Sequence, residues 1–294
     1  MPIAQTEYKD RLFSCIFGSE EHKEWTLSLY NAVNGTHYDD PEQITITTIR
    51  DVLYLGMHND VSFLISNDMN MYEQQSTFNP NMPLRMLQYA GNIFEKYLTV
   101  EKKNKYSKRI VTLPVPKLVV FYNGMEAEPD EVQLNLCDAF PADRRRDSDI
   151  QVRVRMVNVN KGKSPELMAN CKPLTEYAWI VDSIRTLERL VGLEAAIDRT
   201  IDNLPDGFQT KLLLEAHRAE VKNMLLTEYN EAKQMDLFFM EGRQEGRQEG
   251  RQEAEHRINA LYAKLLSLGR NDDLARAIGD PAYRDSLYAE FGIS

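Results

Sequence analysis

The chain has 294 residues, 43% of them hydrophobic, and a formal net charge of −10. That is enough apolar material for one large domain or a domain with an appendage, and no apolar run approaches the ~18 residues of a membrane span, so a soluble cytoplasmic protein without a signal peptide is expected. The acidity excludes a basic coat for nucleic acid, leaving only local phosphate contact, and the scattered Cys15, Cys137 and Cys171 with five histidines lacking ligand spacing exclude a disulfide scaffold or zinc site.

Leu12, Phe13, Ile16, Phe17, Trp25, Leu29 and Val33, interrupted by Gly18, predict two helices between Asp10 and about Asn34. Residues 44–50 alternate as a strand. In NDVSFLISNDMNMYEQQS, residues 59–76, the runs 61–65 and 71–75 read as two strands around Asn67-Asp68-Met69-Asn70, which is turn chemistry. A turn at 67–70 sets Ser66 opposite Met71, Leu64 opposite Glu73, Ser62 opposite Gln75 and Asp60 opposite Thr77. Opposed residues share a face, as do residues two apart, so Asp60, Glu73 and Gln75 are expected to project together. Residues 83–100 predict a helix with proline in its first turn, 118–122 a buried strand stopped by Asn123-Gly124, and 151–160 a strand with Arg153 and Arg155 on one face. From Pro173 to about Gln234 almost everything is helical. The order predicts an α/β layered core with a mostly helical C-terminal half.

Two carboxylates on neighbouring strands, with a polar side chain two residues on, form the arrangement that holds a divalent cation between hard oxygen donors. Mg²⁺ takes few carboxylates and keeps waters, one of which can lose a proton beside a phosphodiester. By itself Asp-x12-Glu-x-Gln is a weak pattern, shared with the polar solvent face of ordinary hairpins. Two basic segments interrupt the acidic chain. Residues 101–118 carry Lys102, Lys103, Lys105, Lys108, Arg109 and Lys117 against one acid, and 144–163 carry Arg144, Arg145, Arg146, Arg153, Arg155, Lys161 and Lys163 against Asp147 and Asp149. They suit a phosphate-facing surface or, equally, solvated loops and an edge strand guarded by arginine.

EGRQEGRQEGRQEAEH, from residue 241, places Gly242, Gly246 and Gly250 at period four and stacks Glu under Glu and Arg under Arg, which gives no favourable i,i+4 pair. Three glycines cost roughly 3 kcal/mol of helix propensity, so the stretch is either a flexible linker or a helix whose glycine stripe admits a second helix. Beyond it, 256–268 is amphipathic, Gly269 is a C-cap candidate, and 272–279 and 281–291 predict two short helices. That tip has the outline of a helix-turn-helix, but Arg276 and Arg284 face Asp272, Asp273, Asp280, Asp285 and Glu290, which favours oligomerisation or protein contact over DNA readout.

Six stretches, KDRLFSCIFG (9–18), LSLYNAVNGTHY (27–38), NDVSFLIS (59–66), YEQQSTFNPNMPLRMLQY (72–89), LPVPKLVVFYNG (113–124) and the EGRQ repeats (241–252), resemble in order the Rpn family of recombination-promoting nucleases and transposases, within the PD-(D/E)xK nuclease superfamily. The resemblance spans most of the chain and is most specific from 59 to 89. It implies a restriction-endonuclease-like α/β core over 1–172, with a mixed central sheet flanked by helices. A helical region at 173–240 would pack on it, followed by the repeat at 241–255 and a small helical tip at 256–294. The implied activity is a bacterial, Mg²⁺- (or Mn²⁺-) dependent DNA endonuclease of low sequence specificity, hydrolysing phosphodiesters in recombination or mobile-element processes. Asp60 and Glu73 match the metal-binding acids, and Gln75 stands at the superfamily's lysine position. Asp10 would be an accessory acid or a helix cap. Gln74 stands where the relatives often have His, and Ser14 where a basic residue often follows Phe. Lys102, Lys103, Lys105, Lys108, Arg109, Arg153 and Arg155 are the candidates for duplex DNA, and a homodimer through the C-terminal region is expected. The alternative is a catalytically weakened relative acting as a DNA-associated or regulatory interaction protein.

Overall fold

A six-stranded mixed sheet lies at the centre of the computed structural model, which describes residues 12–47 and 60–293. The strand order is β1 (Thr45–Ile46), β2 (Val61–Ile65), β3 (Asp68–Gln75), β4 (Val115–Tyr122), β6 (Arg153–Asn158), β5 (Glu131–Asn135). β3 is parallel to β4 and β4 to β6, and the remaining pairs are antiparallel. Val119 and Phe121 of β4 enter one apolar cluster, Val120 and Tyr122 the other, and a strand covered on both faces has no solvent side to mark with polar residues.

Helices flank both faces. α1 (Leu12–Phe17), α2 (Lys23–Asn34) and α5 (Lys172–Val191) share the first cluster with β4. Phe13 of α1 sits against Phe121 and Tyr177, with ring centroids 5.1 and 5.7 Å away. On the opposite face α3 (Met82–Val100) buries Met82, Met86, Tyr89 and Ile93, a spacing that keeps them on one side of the helix. Each such side chain stabilises by roughly 1.5–3 kcal/mol.

The hairpin register differs from the sequence expectation. The turn is the two-residue Ser66-Asn67, with Ser66 in the left-handed region (φ 52°), and Ile65 pairs with Asp68, Leu64 with Met69, Ser62 with Met71 and Val61 with Tyr72. Leu64 thus meets Met69 instead of Glu73, a slip of four positions. An even slip preserves which face each side chain occupies. The segment expected to turn is strand, with Tyr30 Oη donating to Asp68 Oδ2 at 3.1 Å, and with Asn70 fully buried at a cost, its amide without a hydrogen-bond partner. β5 was not expected, and of the strand predicted at 44–50 only Thr45–Ile46 is seen, residues 48–50 lying outside the described residues.

The remaining helices are α4 (Pro165–Asn170), α6 (Leu193–Asp202), α7 (Lys211–Ala216), α8 (Arg218–Ser267), α9 (Asn271–Gly279) and α10 (Pro281–Phe291), so the C-terminal half is mostly helical. α5 and α6 belong to the first cluster, and the buried Glu176 of α5 receives Gln209 N, Thr210 N and Thr210 Oγ1 at 2.8, 2.9 and 2.8 Å. That carboxylate ties down the loop before α7. The EGRQ repeat is helical, within α8. The chain divides into two units, Met1–Ala232 and Lys233–Ser294. In the second, Leu261 and Leu265 of α8 pack with Ala277, Leu287 and Tyr288, and Gly269 (φ 69°) ends α8 in the left-handed turn expected of a C-cap. Among the described residues no helix is long and apolar enough to cross a membrane.

Candidate functional site

Extending the observed β2–β3 register by one residue beyond Val61 and Tyr72 sets Asp60 directly opposite Glu73. Asp60 N donates to Glu73 Oε2 at 3.2 Å, Gln74 N to Asp60 Oδ2 at 2.6 Å, and Gln75 Nε2 to Glu73 Oε1 at 3.3 Å. The three candidate catalytic residues therefore converge. Glu73 is only 2% exposed, while Asp60 and Gln75 are half-buried and give the pair its solvent side.

Ser14 and Gln74 both touch Asp60. Ser14 Oγ of α1 donates to Asp60 O at 3.1 Å. The Gln74 backbone holds the Asp60 carboxylate, while its side chain turns to the other face and donates to Asn123 Oδ1 at 2.7 Å, and Asn123 Nδ2 in turn donates to Tyr177 Oη at 2.7 Å. Gly18 lets the chain fold back tightly at the end of α1, where a Cβ would stand 2.8 Å from Ser14 O of the same helix. Gly124 admits a close approach of two segments after β4, where a Cβ would meet Ser76 O at 2.4 Å. Asp10, the accessory candidate, lies outside the described residues.

Two further residues belong to the site. Arg85, in the first turn of α3, places Nη2 2.7 Å from Glu73 Oε1 and Nη1 3.5 Å from Gln75 Oε1. Tyr89, one turn later, accepts from Arg85 Nη2 at 2.8 Å and Nε at 3.3 Å. Burial works against the Arg85 charge, but Glu73, Tyr89 and Asp60 outweigh it and hold the guanidinium above its usual range. Burial, then the Glu73 charge, pushes the Tyr89 phenol up. Arg and Tyr four apart at the start of the helix after the acid hairpin were the available signal, since i,i+4 residues share a helix face.

The basic candidates lie elsewhere. Segment 101–114 follows the far end of α3, about 25 Å from Arg85 at 1.5 Å per residue, and enters β4 beside the Ser66-Asn67 turn, where Val115 N donates to Asn67 O at 2.7 Å. This is the end of β3 remote from Glu73 and Gln75. Lys103 donates to Tyr97 Oη at 2.7 Å and Thr112 O at 3.1 Å, and Lys105 pairs with Glu95 at 2.6 Å. Arg155 makes a two-pronged pair with Glu131, both contacts at 2.8 Å, and with Arg153 it shares the sheet face of Val157, opposite to that of Glu73. In the C-terminal unit Arg270 pairs with Asp273 and Glu290, and Arg276 lies over the Tyr283 ring, 4.0 Å from its centroid.

The donor set of Asp60 and Glu73 suits Mg²⁺ or Mn²⁺, which binds through one or two carboxylates and completes its shell with water and phosphate oxygens. A positive group, the Arg85 guanidinium, already sits on Glu73. Among the described residues no group of three or more His, Cys, Asp or Glu side chains is placed to hold a metal ion. Comparisons with known protein families, curated proteins and solved structures return no match to this chain.

Proposed function

We propose that the protein is a metal-dependent endonuclease of low sequence specificity that hydrolyses DNA phosphodiesters, in recombination or mobile-element processes. The observation that carries this reading is the convergence of Asp60, Glu73 and Gln75 on one sheet face, with Asp60 N on Glu73 Oε2 at 3.2 Å. Asp60 and Glu73 would hold Mg²⁺ or Mn²⁺, which when bound supplies charge neutralisation at the phosphate and acidifies a water. The neutral Gln75 amide can hydrogen-bond that water or a phosphate oxygen. Purified protein is expected to convert supercoiled plasmid to open or linear forms with Mg²⁺ and to stop on addition of EDTA. Intact plasmid under saturating Mg²⁺ or Mn²⁺ would overturn the reading. A pairing of chains through the C-terminal unit belongs to the same proposal, since one cleft cuts one strand per encounter.

A second reading, a weakened nuclease relative that acts through DNA association or protein contact, is favoured by one observation: Glu73 is already engaged by Arg85, Gln75 and Asp60 N. Binding without cleavage would select it.

In both readings the 101–114 loop is expected to contribute phosphate contacts. Lys103 and Lys105 are engaged internally, so the effect should come from Lys102, Lys108 and Arg109. Neutralising those three should lower the slope of log affinity against log salt by about 0.9 for each phosphate that no longer meets a cation, with little dependence on DNA sequence. A salt titration with an unchanged slope would place the duplex elsewhere.

A further inference from the structure

Gln75 is neutral, so the third position of Asp-x12-Glu-x-Gln brings no positive charge to the site. A cation is nevertheless there, supplied by another element. Arg85 reaches in from α3 with Nη2 on Glu73 Oε1 at 2.7 Å and Nη1 by Gln75 Oε1 at 3.5 Å, and it is aimed by two side chains of its own helix, Tyr89 (2.8 and 3.3 Å) and Met82 Sδ (3.4 Å). A guanidinium is planar, always charged and matched to two oxygens of a carboxylate or a phosphate. It is also 35% exposed, against 2% for its carboxylate partner, so its solvent side is open to an incoming anion.

We propose that Arg85 is the positive charge of this site: the counter-ion of Glu73 in the resting protein and the donor to the phosphate in the substrate complex. This rests on the phosphodiesterase reading above. Glu73 Oε1 takes Arg85 and Gln75, and Oε2 takes the Asp60 N–H, so a divalent cation must compete with the guanidinium for the same carboxylate. Removing Arg85 therefore has two opposed effects. Divalent cations bind more tightly because their competitor is gone, and cleavage falls because the phosphate loses its donor. A residue that only propped up the fold would weaken both together.

The test compares full-length wild type, Arg85→Gln and the double variant Gln75→Lys/Arg85→Gln, with Mn²⁺ binding followed by electron paramagnetic resonance of the free ion and plasmid cleavage followed in parallel. Arg85→Gln is expected to bind Mn²⁺ roughly five- to tenfold more tightly and to cleave about a hundredfold more slowly, the usual loss when one charge-stabilising donor is removed. The double variant returns a cation to the site from β3 and should recover to within about tenfold of wild type. Mn²⁺ affinity that is unchanged or weaker in folded Arg85→Gln overturns the proposal, as does cleavage at the wild-type rate. If Arg85→Gln does not fold, the double variant decides, because its lysine faces Glu73, and a folded but inactive double variant overturns the proposal. A wild type that binds Mn²⁺ but never cuts refutes the nuclease reading instead, and the Mn²⁺ titration then decides the counter-ion role alone.

Discussion

Asp60→Ala is expected to abolish metal-dependent plasmid cleavage while leaving the fold nearly as stable as wild type. The side chain is half-buried and Oδ2 accepts Gln74 N at 2.6 Å, so its loss costs about one hydrogen bond, roughly 0.5–1.5 kcal/mol. The rate loss should be on the order of a thousandfold, the ~4 kcal/mol that a metal's charge supplies to a phosphoryl transition state. Glu73 behaves differently, although as a bare metal ligand it would be removable without harm to the fold. It is 2% exposed and receives Arg85, Gln75 and Asp60 N, so Glu73→Ala strands a guanidinium. Breaking a fully buried pair costs about 3–5 kcal/mol, and less here because Arg85 is 35% exposed. Glu73→Gln keeps the volume and an acceptor for Arg85, and is expected to melt close to wild type and to be inactive. Full cleavage by purified Asp60→Ala or Glu73→Gln would remove the assignment. Gln75→Lys in the wild-type background should retain activity without gaining any, because its ammonium would join Arg85 Nη1, which lies 3.5 Å from Gln75 Oε1.

The acids were legible because strand periodicity is forgiving of even errors. The expected turn at 67–70 lay two positions too far along and the pairing register was wrong by four, yet Asp60, Glu73 and Gln75 kept their common face. A slip of three would have lost the site. The turn itself was not legible because Asp68 and Asn70 are strand residues with turn chemistry. Asp68 is held by Tyr30, whose phenol is pushed up to about 12 by burial and by that carboxylate, and Asn70 sits buried between hydrophobic neighbours against its local preference. β5 escaped because Glu131, Gln133 and Asn135 give it a polar face while only Val132 and Leu134 turn toward the second cluster, a pattern too short to stand out. Arg85 needed the tertiary structure, since nothing in the spacing of α3 says which strand its first turn meets. The repeat shows the limit of propensity: summed glycine penalties allowed a linker, but helix anchored on both sides, by Val221 and Leu225 before it and Leu261 and Leu265 after it, propagates at far lower cost than it nucleates.

The other large effect concerns assembly, and it follows from the same repeat. Residues 243–257 of α8 are exposed along their whole length, and a Cβ added at Gly246 or Gly250 meets nothing within 4 Å. Within one chain, then, alanine fits both positions and should add about 1 kcal/mol of helix stability at each. If these glycines let a partner helix approach, the same methyls stand in its way. Gly246→Ala/Gly250→Ala is therefore expected to raise helix content and yet break the pairing of chains, a combination that a solvated helix cannot produce. Twofold association is the commonest for identical chains, so full-length protein should scatter light as twice its 34.0 kDa mass. Truncation after Met240 keeps the whole of the first unit, which ends at Ala232, and should give a folded monomer that nicks plasmid more than it linearises it. A full-length chain that stays at 34.0 kDa at micromolar concentration would end the dimer proposal, and a double-alanine variant that stays paired would leave the repeat a solvated helix and place the pairing on another surface.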